Sequence, residues 1–183
     1  MAVELQVVAH GELDAAELEG LRALFDTEYL SSHGRWDPDA PYGYSPADIH
    51  VTALRGEEIV GHVGFQVRDI AVGATTVTIA GTGGVLVAPS ARGTGLGADL
   101  LHTARSAMQR TPGVEFGYLG CRPEVVPFYE SAGWRRIQAR EHSLSLIDDS
   151  PVESIDSPIL ICAAARPLDA WPAGDIDLRG RPW

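Results

Sequence analysis

The residues best suited to chemistry in this 183-residue chain form one run, Arg92-Gly93-Thr94-Gly95-Leu96-Gly97. Glycines alternate with other residues, an arginine leads, and an apolar helical pattern follows. The first amides of a helix lack intrahelical acceptors and carry partial positive charge. Without β-carbons nearby, a diphosphate can come close to the backbone, and Arg92 adds a fork of donors. Two other nucleotide motifs bear comparison. A Walker A loop needs Gly-Lys followed by Ser or Thr, which is absent. Gly93 to Ala98 does satisfy G-x-G-x-x-A, with Glu115 about 20 residues on. That fingerprint normally opens a series of strand–helix repeats, whereas antiparallel strand patterns precede it here.

The elements that must position this run can be read from periodicity. Val3 to Val8 reads as a strand, and Asp14 with Glu17 forms a plausible capping pair ahead of Leu18, Leu21, Leu24 and Phe25 at helical spacing. Residues 31–46 hold Pro38, Pro41 and Pro46 with Gly34 and Gly43, so a long loop is expected. Long ordered loops often bind or cover ligands. Val51 to Leu54 and Ile59 to Val67 read as a hairpin, and a further strand runs from Thr75 to Val87. Its glycines at 81, 83 and 84 point to a bulge or a close approach. After the glycine run come a helix over Leu96 to Met108, a strand over Phe116 to Cys121, and a helix over Glu124 to Ala132. Strands over Trp134 to Leu146 and Ile159 to Ala165 follow, then a tail from Arg166 to Trp183 rich in Pro, Gly and Asp. The fold class is α/β in one domain spanning 1–183, with a mixed rather than doubly wound sheet.

Val85 to Gly97, with its Arg-x-x-Gly-x-Gly core, resembles the acyl-CoA-binding motif of the GCN5-related N-acetyltransferases (GNAT). Pro127-Phe128-Tyr129-Glu130-Ser131-Ala132-Gly133-Trp134 resembles that family's second motif. The resemblance covers roughly residues 50–145. It implies a mostly antiparallel central sheet flanked by helices, with two central strands splayed apart. Acetyl-CoA or another acyl-CoA would be the acyl donor. Val85 and Val87 would pair with the pantetheine arm, and the amides from Arg92 through Gly93, Thr94, Gly95 and Leu96 to Gly97 would hold the diphosphate. Val87 would also offer its amide to the oxyanion. Tyr129 would be the general acid, since a phenol with a pKa of about 10 is protonated at neutral pH. Relatives often carry a glutamate base on the central strand, but Ile79 to Gly84 contains no carboxylate. His62, His50, Asp37 and Asp175 are the remaining base candidates, unless transfer proceeds through water once the amine binds unprotonated.

The tail from Arg166 to Asp175 resembles the C-terminus shared by nodulation acyltransferase A proteins and aminoglycoside 2'-N-acetyltransferases. Extra residues before Trp183 depart from that pattern. The resemblance implies a cationic amino sugar as acceptor, an aminoglycoside-type antibiotic first, with biosynthetic or longer-chain acylation as the alternative. A non-catalytic acyl-CoA-binding module is the third reading. Trp36, Asp37, Trp171, Asp175 and Trp183 are expected to line the acceptor cleft, walled by loop 31–46 and tail 169–183.

Composition narrows the field. The net charge of −11 argues against a nucleic-acid partner and suits a cationic small substrate. Cys121 and Cys162 lack metal-ligand spacing, so no metal is expected, and reduced core thiols imply a reducing, cytoplasmic setting. No apolar run is long enough to span a membrane. Family resemblance also implies a possible homodimer.

Overall fold

The structure is a computed structural model that describes residues 2–183. Ten strands join in a mixed sheet, with helices α1 (Ala15–His33), α2 (Leu96–Arg110) and α3 (Val126–Ser131). The strands are β1 (Glu4–Ala9), β2 (Ile49–Arg55), β3 (Glu58–Val72), β4 (Thr75–Val87), β5 (Phe116–Gly120), β6 (Arg135–Ile137), β7 (Glu141–Leu144), β8 (Pro151–Ser154), β9 (Ile159–Ala163) and β10 (Ile176–Asp177). Their order is β6-β9-β5-β4-β3-β10-β7-β8, while β2 pairs with β3 and β1 with β2. This is the open mixed sheet with flanking helices that the sequence leads one to expect.

Helix α1 starts where Asp14 accepts from the amides of Ala16 and Glu17 while Glu17 returns a bond to the Asp14 amide. Loss of such a cap costs about 1 kcal/mol. The helix runs on to His33, so the loop opens at Gly34, whose φ of 82° ends the helix, rather than at Ser31. One apolar layer packs Leu21, Leu24 and Phe25 of α1 and Leu100, Leu101, Ala104 and Met108 of α2 on one sheet face. A second layer on the other side gathers Ile70, Val77, Ile79, Phe116, Tyr118, Ile161, Ile176 and Leu178. The tail belongs to this second layer.

Two features overturn the linear reading. Trp134 to Leu146 is not one strand: β6 pairs with β9 at one end of the sheet, and β7 pairs with β8 and β10 at the other. Alternation along the chain cannot reveal which neighbour a strand will find. The tail is likewise tied down: β10 adds to the far half of β3, where Ile176 lies opposite Val72. Arg68 then donates to the carbonyls of Leu178 and Arg181, and Ser45 bonds to those of Arg181 and Pro182. These bonds sew the tail to the loop after α1.

The central strands pair only briefly. Parallel β4 and β5 match at Ile79–Phe116, Ala80–Gly117 and Gly81–Tyr118, and β4 then continues alone to Val87. On its other side, β4 bulges against β3 between the His62–Leu86 and Gly64–Gly83 pairs, with Gly84 at φ 59°. Glycine is needed there because an L side chain pays for that conformation. The bulge turns the last residues of β4 out of the β5 ladder and opens a gap.

Candidate active site

The glycine run forms a nest of free donors at the end of β4. Among the described residues, the amides of Gly93, Thr94, Gly95, Leu96 and Gly97 have no protein acceptor. Gly93 at φ 74° and Gly95 at φ 88° curl the chain so that it caps α2, and nothing lies within 4 Å of where their β-carbons would be. Successive free amides in such a curl suit an anion. A diphosphate therefore fits here. The Arg92 side chain does not face this nest as expected: its guanidinium bonds to the Val87 carbonyl at 2.9 Å and pairs with Glu28 at 2.5 Å. In this arrangement only backbone donors present themselves to the anion.

Val85 and Val87 lead from the nest into the gap. The Ala88 amide bonds to the Val60 carbonyl, so the neighbouring Gly61–Val87 pair is the non-bonded kind. The backbone groups of Val87 thus point away from β3, toward the space that β5 has left. That is the geometry an extended amide-bearing arm needs to pair with β4.

Beyond the gap lies a cleft of about 670 Å³, lined by α1, the loop after it, β3 to β5, α3 and the tail. Tyr129 lines it, and its hydroxyl has no partner among the described residues. Burial, then the nearby Cys121 thiol and Tyr29, pushes its phenol above the ordinary range, so it carries a proton to donate. Trp36 and Trp183 also line the cleft. Trp36 forms floor rather than rim, stacked on Phe25 at 5.0 Å. Trp183 lies flat over Gly81, where an added β-carbon would come 2.1 Å from the ring, and Arg68 covers it at 4.1 Å.

Three expected acceptor contacts fall elsewhere. Trp171 packs into the second apolar layer, edge-on to Phe116 at 5.2 Å. Asp37 closes a local turn by accepting from the Asp39 amide. Asp175 is exposed, 3.8 Å from Arg140. None of the three lines the cleft. Sequence could suggest that the loop and tail meet, but the facing of each side chain depended on turns that only the folded chain fixes.

The histidines form a chain of hydrogen bonds. His62 Nδ1 faces the Gly84 carbonyl at 2.7 Å, and a carbonyl only accepts, so Nδ1 carries the proton. His62 Nε2 then accepts from His50 Nδ1 at 2.9 Å, and His50 Nε2 accepts from His10 Nδ1 at 3.0 Å. His10 Nε2 ends the chain 3.2 Å from Asp39. Burial, then His62 and His10, lowers His50 to about 3, and burial lowers His62 to about 4. Both inner rings are therefore neutral with each nitrogen already engaged. They brace the β4 bulge through Gly84 and have no lone pair for an acceptor amine.

A carboxylate that the sequence did not disclose does line the cleft. Glu141 of β7 receives a hydrogen bond from the Tyr118 hydroxyl of β5. Those strands are far apart in sheet order, so the arm carrying β7 must curl over the sheet face to bring them together. Tyr42, also lining the cleft, sits at φ 54° with a buried, unpartnered hydroxyl. A strained, non-glycine residue with an orphan donor is a mark of a binding site.

A family model, Nodulation protein A (NodA), matches residues 3–182. No curated protein sequence matches the chain. Among solved structures, YhbS of Escherichia coli, a GNAT family N-acetyltransferase in complex with CoA, superposes with a TM-score of 0.64 at 15% identity, covering 97% of this chain and 91% of that one. Escherichia coli ElaA gives 0.63 at 18% identity, covering 88% and 99%. An acyl-CoA N-acyltransferase from Pseudomonas aeruginosa gives 0.60 at 19%, covering 88% and 100%. These likenesses establish the GNAT fold.

Proposed function

Because the chain belongs to the nodulation protein A family, an acyltransferase family, we propose that it transfers an acyl group to the amine of an amino sugar carrying a single positive charge. That it is an acyl-CoA-dependent N-acyltransferase follows from family and fold together. The acceptor is the proposed part. The observation that carries it is the cleft's chemistry: aromatic walls from Tyr29, Trp36, Tyr42 and Trp183, and, among the charged side chains of its described lining, one carboxylate, Glu141, and one guanidinium, Arg122. Aromatic faces suit a sugar ring, and the unpartnered Tyr42 hydroxyl suits a sugar oxygen. An aminoglycoside antibiotic with several ammonium groups would bring more charge than one carboxylate offsets. Asp37 and Asp175, which would have supplied more, lie outside.

Acyl-CoA supplies an activated thioester. The free amides of Gly93 to Gly97 would hold its diphosphate, and the backbone of Val85 and Val87 would align its arm along the gap. Val87 N–H, aimed into that gap, is the donor for the carbonyl oxygen as negative charge develops there. Tyr129 gives its hydroxyl proton to the departing sulfur. The net change is ammonium plus thioester to amide, thiol and one released proton.

Thiol release with acetyl-CoA or octanoyl-CoA, against glucosamine, kanamycin and spermidine, tests this reading. Glucosamine should give the highest kcat/KM. Kanamycin exceeding it tenfold would reinstate the antibiotic, and silence with every amine would leave only an acyl-CoA-binding module.

A further inference from the structure

We propose that Glu141 is the catalytic base that binds the acceptor ammonium and removes its proton, with Tyr118 as the residue that positions it. The inference rests on the acyltransferase reading and adds the group that reading lacks. An amine attacks a thioester only through its free lone pair, yet an amino sugar enters the cleft mostly as ammonium. A base in the cleft would free that lone pair. His50 and His62 line it with both ring nitrogens committed, to each other, to His10 and to the Gly84 carbonyl. Asp37 and Asp175 stand outside. Cys121 lines the cleft, but burial raises its thiol, which leaves it protonated.

Glu141 has what the others lack. It lines the cleft, and Tyr118 engages a single oxygen, Oε2. Oε1 has no partner among the described residues and is open to a second donor. Burial raises its carboxyl above the ordinary range, which improves its match to an ammonium, while the Tyr118 bond works against that rise. Around Glu141, Tyr118 of β5 is the titratable group that touches it. Arg68 of β3 is turned to Trp183, Ser45, Gln66 and tail carbonyls. Arg140, just before β7, and His142 on it are drawn to Glu153. Arg122 also lines the cleft, but among the described residues no cation forms an ion pair with Glu141.

The carboxylate takes one proton from the ammonium, giving a neutral amine and a carboxylic acid. The nitrogen pair forms the N–C bond, and the C–S bond breaks with its electrons leaving on sulfur. The second nitrogen proton replaces the one Tyr129 passes to sulfur, and Glu141 later releases the first to solvent.

The test is the pH profile of kcat/KM with acetyl-CoA and glucosamine for wild type, Glu141→Gln and Tyr118→Phe, alongside CoA affinity by calorimetry. Wild type should show an acid limb set above the ordinary carboxylate range. Glu141→Gln keeps the Tyr118 bond, so CoA affinity should hold while kcat/KM falls roughly 100-fold and the limb disappears. Tyr118→Phe should keep the limb but move it. Glu141→Gln within threefold of wild type, with the limb intact, would overturn the role of Glu141 alone. A wild type that releases no thiol with any amine would overturn the acyltransferase reading as well. Should Glu141→Gln fail to fold, Glu141→Ala rescued by millimolar formate supports the role, and no rescue contradicts it.

Discussion

Tyr129 combines a raised pKa with a hydroxyl left free in the cleft, and the two belong together. Desolvation keeps the proton on the oxygen, and the absence of a protein acceptor leaves that proton for a leaving group. Tyr129→Phe should therefore lower kcat about 100-fold, with the KM for acyl-CoA nearly unchanged, in steady-state thiol-release assays. A fall in CoA affinity instead would make the residue a wall of the site. Tyr129 and the two valines could be singled out in the sequence because each sits inside a short motif with fixed local geometry. Glu141 was not. It belongs to a four-residue strand whose partners, β8 and β10, come later in the chain, and it reaches the cleft only when that arm curls toward β5. Asp37 and Asp175 show the converse failure. Their chemistry suited the site, but local turns aimed them at solvent.

At the level of elements, the bulge in β4 does the most to create the site. It breaks the ladder against β3, frees the strand end from β5, and is held by the His62 bond to Gly84. The glycines at 81, 83 and 84 announced something irregular, yet they serve different needs. Gly84 supplies a positive φ, whereas Gly81 supplies room for Trp183. Gly81→Ala should push the indole out of place and destabilise the fold by about 1–3 kcal/mol. Its signature would be a raised KM for glucosamine with CoA affinity kept. Equal changes in both would show that Trp183 supports the whole cleft. The long loop after α1 was predicted from its prolines and its meeting with the tail from the tail's resemblance, while the bonds from Ser45, Arg68 and Arg181 that fasten the two became visible only in the fold.

For the molecule as a whole, the buried histidines set an acid limit on stability. Unfolded, each titrates near 6.5; folded, His62 titrates at about 4 and His50 at about 3. Between those values the unfolded chain binds protons that the folded chain refuses, so acid favours unfolding. Stability should be unaffected above pH 6.5 and then fall, by about 1.4 kcal/mol per pH unit for each histidine that stays neutral. Urea midpoints at pH 7, 6, 5 and 4 would show this, and His50→Asn should flatten the slope. A midpoint that does not move between pH 7 and 4 would mean that the chain of histidines accepts charge readily.

The sheet, both apolar layers and the tail converge on one outcome: a nest of free amides beside an open strand edge and a cleft beyond it. Calorimetric titration of CoA into wild type and Gly95→Val, with melting curves for both, addresses that outcome most directly. Saturable one-to-one binding is expected, weakened at least tenfold by Gly95→Val, since a branched side chain resists the φ of 88° that points the amides inward. Folded wild-type protein that takes up no CoA at millimolar concentration, or equal affinity in the variant, would contradict the account.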